Sequence, residues 1–137
     1  MKAISLIAIL AFLPILASAQ GLNRNANLIR SNHPTAYENT IRTHAIEEWE
    51  NDHAMIVYSI NSQADALMGV IRNFKSDNTN ILFQAIQNWS HTGYAASNIE
   101  KFRELDTVEL SQMINLHCNW MMVQYEYDQQ VEAKSAY

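Results

Sequence analysis

The sequence predicts an all-α protein that folds as a single-domain bundle of four to five helices over residues 34–137. Apolar residues recur at steps of three and four along much of the chain, which places them on one face of a helix. Both prolines lie at or before position 34, so no later residue breaks a helix by lacking an amide hydrogen. No segment sustains the apolar and polar alternation that is typical of a strand.

Residues 1–19 have the pattern of a secretory signal peptide. Lys2 gives a positive start, residues 4–16 are mostly apolar, and residues 17–19, Ala-Ser-Ala, fit the cleavage pattern of small residues. An uncleaved membrane anchor is the alternative, but the apolar run is shorter than the roughly 20 residues that span a bilayer. We therefore expect a secreted protein, extracellular or periplasmic, without stable membrane insertion after cleavage.

The next segment, residues 20–33, is polar and rich in asparagine, and we expect it to form an extended or flexible arm. Pro34 is a common residue in the first turn of a helix and marks the start of the bundle.

A long helix is predicted near residues 35–75. Its second half carries apolar residues whose spacing keeps them in one stripe: Ile56, Ile60, Ala64, Leu67, Ile71 and Phe74. The first half repeats every four residues, so its stripe rotates and does not join the later one in phase: Tyr37, Ile41, Ala45 and Trp49. Either the helix bends near Asn51 and Asp52, or one continuous helix packs on different neighbours along its length.

Shorter helices follow. A third helix is marked by Ile81, Leu82, Ala85, Ile86 and Trp89. Capping-box spacing begins at Ser97, which opens a short helix, and again at Asp106. The pattern after Asp106 predicts a second long helix near residues 107–132.

Composition excludes several classes of function. Nine Lys and Arg against 14 Asp and Glu leave no basic surface for nucleic acid. A single cysteine cannot form an internal disulfide, and we expect Cys118 to be a buried apolar residue, with an intermolecular link as the alternative. The three glycines form no phosphate-binding loop. No hydrolase motif is present in the sequence. Acid–base catalysis could use only Glu48, Asp52 or His53, and these residues form no catalytic motif, so we do not expect an enzyme.

One candidate site is a metal or haem centre. Met113, His117 and Met121 are spaced by four and share one face of the predicted last helix. Thioether and imidazole ligands suit copper, and a Met/His pair can hold haem iron. His44 and His53 are further candidate ligands on the facing helix. An ordinary core face with one neutral histidine is the competing interpretation.

A di-iron centre is not predicted. Glu50 and His53 have the Glu-x-x-His spacing of di-iron bundles, but the second copy that such a centre needs is missing from the sequence.

Aromatic side chains form the second candidate site. Tyr125 and Tyr127 alone span about 200° of a helix, so the aromatic residues cannot all share one face. They either form an exposed binding surface or pack on two sides of a central helix, and the candidates are Trp49, Trp89, Trp120, Tyr125 and Tyr127.

We therefore expect a small secreted helical protein that binds a protein partner or an apolar ligand, without catalysis and without a cofactor. A copper- or haem-binding bundle is the alternative hypothesis.

Overall fold

The computed structural model describes residues 21–74, 76–91 and 109–137. Six helices lie in these ranges: α1 (Arg24–Asn32), α2 (Pro34–Tyr37, a π-helical turn Glu38–Arg42, and Thr43–Trp49), α3 (His53–Asn73), α4 (Thr79–Trp89), α5 (Leu110–Ile114) and α6 (Trp120–Ser135). The all-α class is confirmed. The signal-peptide pattern of residues 1–19 and the capping boxes that begin at Ser97 and Asp106 lie outside the described residues.

Helix α3 is central to the bundle. Helices α1, α2 and α6 all pack on it, and α6 also lies along α4. The predicted apolar stripe is confirmed: Ile60, Ala64 and Leu67 are buried, and the other members pack against the core at its edges. Helix α4 is confirmed as well, and Leu82 and Ile86 point into the same core. No helix in the described part of the chain is long and apolar enough to cross a lipid bilayer.

The long helix predicted near residues 35–75 is divided into α2 and α3. Helix α2 ends at Trp49, and Glu50 has a backbone φ of 50° and ψ of −99°. Asp52 then caps α3, because its Oδ1 accepts a hydrogen bond from the amide of Met55 at 3.2 Å. The out-of-phase stripes thus belong to two separate helices, and the bend expected near Asn51 is a complete break.

Replacing Glu50 with glycine is expected to raise the free energy of unfolding by about 1 kcal/mol. Glycine adopts a positive φ without the steric cost that a Cβ brings. The strain energy that is removed exceeds the free-energy cost of the additional conformational entropy that glycine loses on folding. Urea denaturation followed by circular dichroism measures the change. The control is Gln129→Gly on the exposed face of α6, which is expected to lower the free energy of unfolding by about 1 kcal/mol. Equal losses in the two variants would contradict strain at Glu50.

Residues 24–32 differ from the predicted arm, because they form the helix α1. Asn23 caps the helix, and its Oδ1 accepts from the amide of Ala26 at 2.9 Å. The amide group of the same side chain donates to Asp65 on α3 at 3.0 Å. Ala26 and Ile29 are fully buried. Asn23 therefore caps a helix and links it to α3, whereas the asparagine-rich composition had been interpreted as a sign of flexibility.

The second long helix, predicted near residues 107–132, also differs from the structure. Helix α5 ends at Ile114, and α6 begins at Trp120 after Asn119, whose side chain caps it. His117 lies between the two helices with a φ of 53°. A left-handed residue at this position is incompatible with one continuous helix. Met113, His117 and Met121 therefore do not share a helix face, and the metal face predicted from their spacing is not formed.

Candidate functional site

Two short segments pair beside α2. The amide of His91 donates to the carbonyl oxygen of His117 at 2.9 Å, and the amide of Asn119 donates to the carbonyl oxygen of Trp89 at 3.0 Å. Ser90 and Cys118 form an antiparallel bridge between these bonds. This pairing fixes residues 89–91 against residues 117–119 and brings His91 and His117 to the same end of the bundle.

His44, His91 and His117 form what we term the imidazole cluster. Nε2 of His44, on α2, lies 3.1 Å from Nδ1 of His117, and the two rings meet edge to face at 5.3 Å and 74°. The ring of His91 stacks on that of His44, with centroids 4.3 Å apart and planes 11° from parallel. Three imidazoles from distant parts of the chain are thus brought together, with His44 in contact with both of the others.

A carboxylate orients the central imidazole. Oε2 of Glu47 lies 3.5 Å from Nδ1 of His44, one helical turn away on α2. The negative charge favours the proton on Nδ1, which leaves the lone pair of Nε2 facing His117. Nδ1 of His117 then donates to Nε2 of His44 when both rings are neutral.

Burial and proximity keep two of the three rings neutral. Burial lowers the pKa of His91 and of His117, and the neighbouring His44 lowers both further. A protonated ring would repel the others and lose hydration. At neutral pH His91 and His117 therefore present uncharged nitrogens, which can accept hydrogen bonds or bind a metal ion.

Stability is expected to fall as the pH is lowered from 7 to 5. The pKa values of His91 and His117 lie below the unfolded value of 6.5, so the unfolded chain binds more protons across this range and unfolding becomes more favourable. Thermal unfolding at pH 5, 6 and 7 measures the effect. His91→Phe, which keeps a flat ring against His44 and removes one of the two groups with a lowered pKa, is expected to flatten the dependence. The control Gln129→Ala changes an exposed residue of α6 that does not titrate and is expected to leave the dependence unchanged. A melting temperature that stays constant from pH 7 to 5 would contradict the lowered pKa values.

A small cavity and an open cleft both adjoin the cluster. The cavity has a volume of about 40 Å³ and is bordered by all three imidazoles and by the polar side chains of Thr40, Ser59 and Gln63. This volume holds about one water molecule. Thr40 is buried in the π-helical turn of α2, and its hydroxyl donates to the carbonyl oxygen of Ala36 at 2.7 Å. Turns of this kind are common at functional sites.

The cleft lies outside the cluster and has a volume of about 500 Å³. Glu47 and Glu48 of α2 line one side, and Asn88 and Trp89 of α4 line the other. None of the described residues that line it is Lys or Arg. The cleft is therefore acidic, with one indole at its edge.

The structure brings only two of the five predicted metal ligands together. His44 and His117 are brought together, whereas His53 is exposed at the start of α3 and lies outside the cluster. Met113 is fully buried and Met121 is exposed, on opposite sides of the break before α6. Within the described ranges, no three potential ligand residues are already arranged around one ion position.

His91 is the member of the cluster that sequence reasoning missed. It follows the end of α4 directly, and its place depends on the pairing with residues 117–119. No local spacing pattern links these two segments. The only signal in the sequence that could have drawn attention to His91 is that it is one of only five histidines.

The predicted aromatic surface is not a single surface. Trp120 is 1% exposed and Tyr127 is 6% exposed, and both belong to the core, as the alternative interpretation expected. Trp89 and Tyr125 are 36% and 59% exposed, and Trp49 is half-buried. Of these five residues, only Trp89 lines the cleft.

Cys118 is buried and free, as expected. Its Sγ donates weakly to the carbonyl oxygen of Ile86 at 3.6 Å. Burial raises the pKa of the thiol to about 12, which makes it a poor nucleophile and a poor metal ligand at neutral pH.

Comparison with models of known protein families, with curated protein sequences and with solved structures finds no match for this chain. The chemistry of the cleft and of the imidazole cluster is therefore the basis for assigning a function.

Proposed function

We propose that the protein is a non-catalytic binding protein that takes a small cation in the cleft beside the imidazole cluster. The observation that carries the proposal is the charge of the cleft: Glu47 and Glu48 line it, and no Lys or Arg does so among the described residues. A volume of about 500 Å³ suits a small ligand. The formal net charge of −5 also favours the approach of a cation.

The cleft offers two kinds of group to a cation. The partly exposed indole of Trp89 presents a ring to an organic ammonium ion. The neutral imidazoles present lone pairs to a metal ion. Both kinds of ligand are therefore compatible with the acidic lining of the cleft. Separately, the signal-peptide pattern of residues 1–19 supports a function outside the cytoplasm.

An apolar ligand or a protein partner, the leading expectation from the sequence, has less support. Trp89 is the one apolar side chain among the described residues that line the cleft. Apolar pockets bind through several such side chains. Haem has less support as well, because the cavity of about 40 Å³ is far smaller than a porphyrin and the Met113–His117–Met121 face is not formed.

Titration with tetramethylammonium chloride and, separately, with zinc sulfate tests the proposal. Binding is followed by tryptophan fluorescence and by calorimetry at low ionic strength. At least one of the two cations is expected to bind at one site per chain. The double variant Glu47→Gln/Glu48→Gln is expected to weaken that binding by about fivefold or more, since each exposed ion pair contributes up to about 1 kcal/mol.

The matched control removes the same charge elsewhere. Glu109→Gln/Glu132→Gln alters two exposed carboxylates that do not line the cleft and is expected to bind as the unmodified protein does. The proposal is wrong if neither cation binds, or if both double variants weaken binding equally.

A further inference from the structure

We propose that the cation is a divalent transition-metal ion that is bound where the cleft meets the small cavity. Its ligands are Nε2 of His44, which lines both, and Nδ1 of His117, which borders the cavity. This inference rests on the proposed cation-binding function and names the class of ligand. It differs from the metal face predicted from the sequence, because the two methionines of that face are replaced by a second imidazole.

The distance between the two nitrogens fits a shared ion. They lie 3.1 Å apart, and two nitrogens bound to one zinc ion at about 2.0–2.1 Å are separated by roughly 3 Å. In the metal-free protein a proton on Nδ1 of His117 occupies the space between them. On metal binding this proton leaves Nδ1 and Nε2 of the same ring takes up a proton, so both rings remain neutral ligands. No oxidation or reduction accompanies the step.

Both ligands are held in place before the ion arrives. His44 lies on a helix, and the carboxylate of Glu47 beside its Nδ1 is the outer-shell partner that metal-bound imidazoles commonly have. His117 is fixed by its left-handed backbone and by the hydrogen bond that its carbonyl oxygen accepts from His91. The separation of 73 residues between the two ligands means that the fold itself builds the pair.

His91 is the third ligand in this proposal, after a rotation of its side chain. Its ring is parallel to that of His44, so the in-plane lone pairs of the two rings do not meet at one point in the metal-free arrangement. The ring nevertheless borders the same cavity, which also has room for about one water molecule. Three nitrogens and one water complete a four-coordinate site.

The ligand atoms favour Zn²⁺ or Cu²⁺ over Cu⁺. Imidazole suits these borderline divalent ions, whereas Cu⁺ prefers thiolate and thioether sulfur. Cys118 borders the cavity, but its Sγ points to the carbonyl oxygen of Ile86, and the thioether of Met113 is fully buried in the core.

Three single variants test the assignment. His44→Phe keeps a ring to stack on His91, and His117→Asn places a residue that tolerates the left-handed conformation. Both remove one ligand nitrogen, and each is expected to weaken zinc binding by at least about tenfold in calorimetry with zinc sulfate. The control His53→Ala removes an exposed histidine outside the cluster and is expected to leave the affinity unchanged within about twofold.

Copper provides a direct readout of the ligand type. The electron paramagnetic resonance spectrum of the protein with one equivalent of Cu²⁺ is expected to show nitrogen hyperfine structure, which is reduced in His44→Phe and in His91→Ala. Circular dichroism establishes that each variant is folded, and His44→Phe alone decides the outcome if His117→Asn does not fold.

The possible results separate this inference from the proposed function. Zinc binding that is equally tight in His44→Phe and in the unmodified protein overturns the metal site. Binding of tetramethylammonium without any binding of zinc or copper also overturns it, while the proposed cation-binding function stands. Failure of all three cations to bind overturns both.

Discussion

Replacement of Trp120 with alanine is expected to lower the free energy of unfolding by about 3–5 kcal/mol. The indole is almost completely buried where α6 begins, in the core that α3 and α4 share with that helix. Truncation leaves a cavity at this junction, because the neighbouring backbone is fixed by the bond from the amide of Trp120 to Oε1 of Gln63 at 2.6 Å. A loss of this size approaches the whole stability of many small domains.

The matched control is Trp89→Ala, which removes the same kind of side chain from the edge of the cleft. Its indole donates one hydrogen bond to Glu126 at 3.2 Å and is partly exposed, so we expect a loss of about 1 kcal/mol. Urea unfolding followed by far-ultraviolet circular dichroism compares the two without depending on tryptophan emission. Equal losses would mean that Trp120 does not lie in the core.

The thiol of Cys118 is expected to react with Ellman's reagent at least about a hundredfold more slowly in the folded protein than in guanidinium chloride. Burial raises its pKa from 9.0 to about 12, which leaves about a thousandfold less thiolate near neutral pH. Because a raised pKa keeps the thiol protonated, the rate should increase tenfold for each pH unit between 7 and 9. A free cysteine instead approaches a plateau above its own pKa, about 8.5.

An exposed thiol on the same fold is the control for this measurement. The double variant Cys118→Ala/Tyr125→Cys places a cysteine on the solvent-facing side of α6 and is expected to react at the rate of a free cysteine. Rapid reaction of Cys118 in the folded protein would contradict its burial.

The regular helices were predictable because their signals are local. The stripe on α3 repeats at three and four residues, and α4 combines such a stripe with polar residues on both flanks. Capping is also local, and Asp52 and Asn119 have the side chains that stabilise a helix start.

The two breaks were harder to predict, because neither contains glycine or proline. Glu50 and His117 both have a positive φ, a conformation that non-glycine residues seldom adopt and that no sequence pattern announces. The helix predicted near residues 107–132 was continuous across the second break. Met113, His117 and Met121 share a face only in such a continuous helix, so this part of the prediction was wrong.

The imidazole cluster could be predicted only in part. Each histidine comes from a different element, and His91 meets the others through backbone hydrogen bonds between residues 89–91 and 117–119. Contacts between loops far apart in sequence depend on the assembled bundle, whereas residue spacing describes only neighbours on one helix. The structure brings His44 and His117 together in a geometry that helix spacing does not describe, and their role as metal ligands stays a prediction.

The way α1 is attached has a consequence for dividing the chain. Ala26 and Ile29 are fully buried where α1 packs on the bundle, and the side-chain amides of Asn23 and Asn25 both donate hydrogen bonds to Asp65 on α3. The connection to α2 is a single residue, His33. A peptide of residues 21–33 and a chain starting at Pro34 are therefore natural fragments for a split protein. Adding the peptide to the chain is expected to restore these contacts, so that folding reports the association of the two fragments.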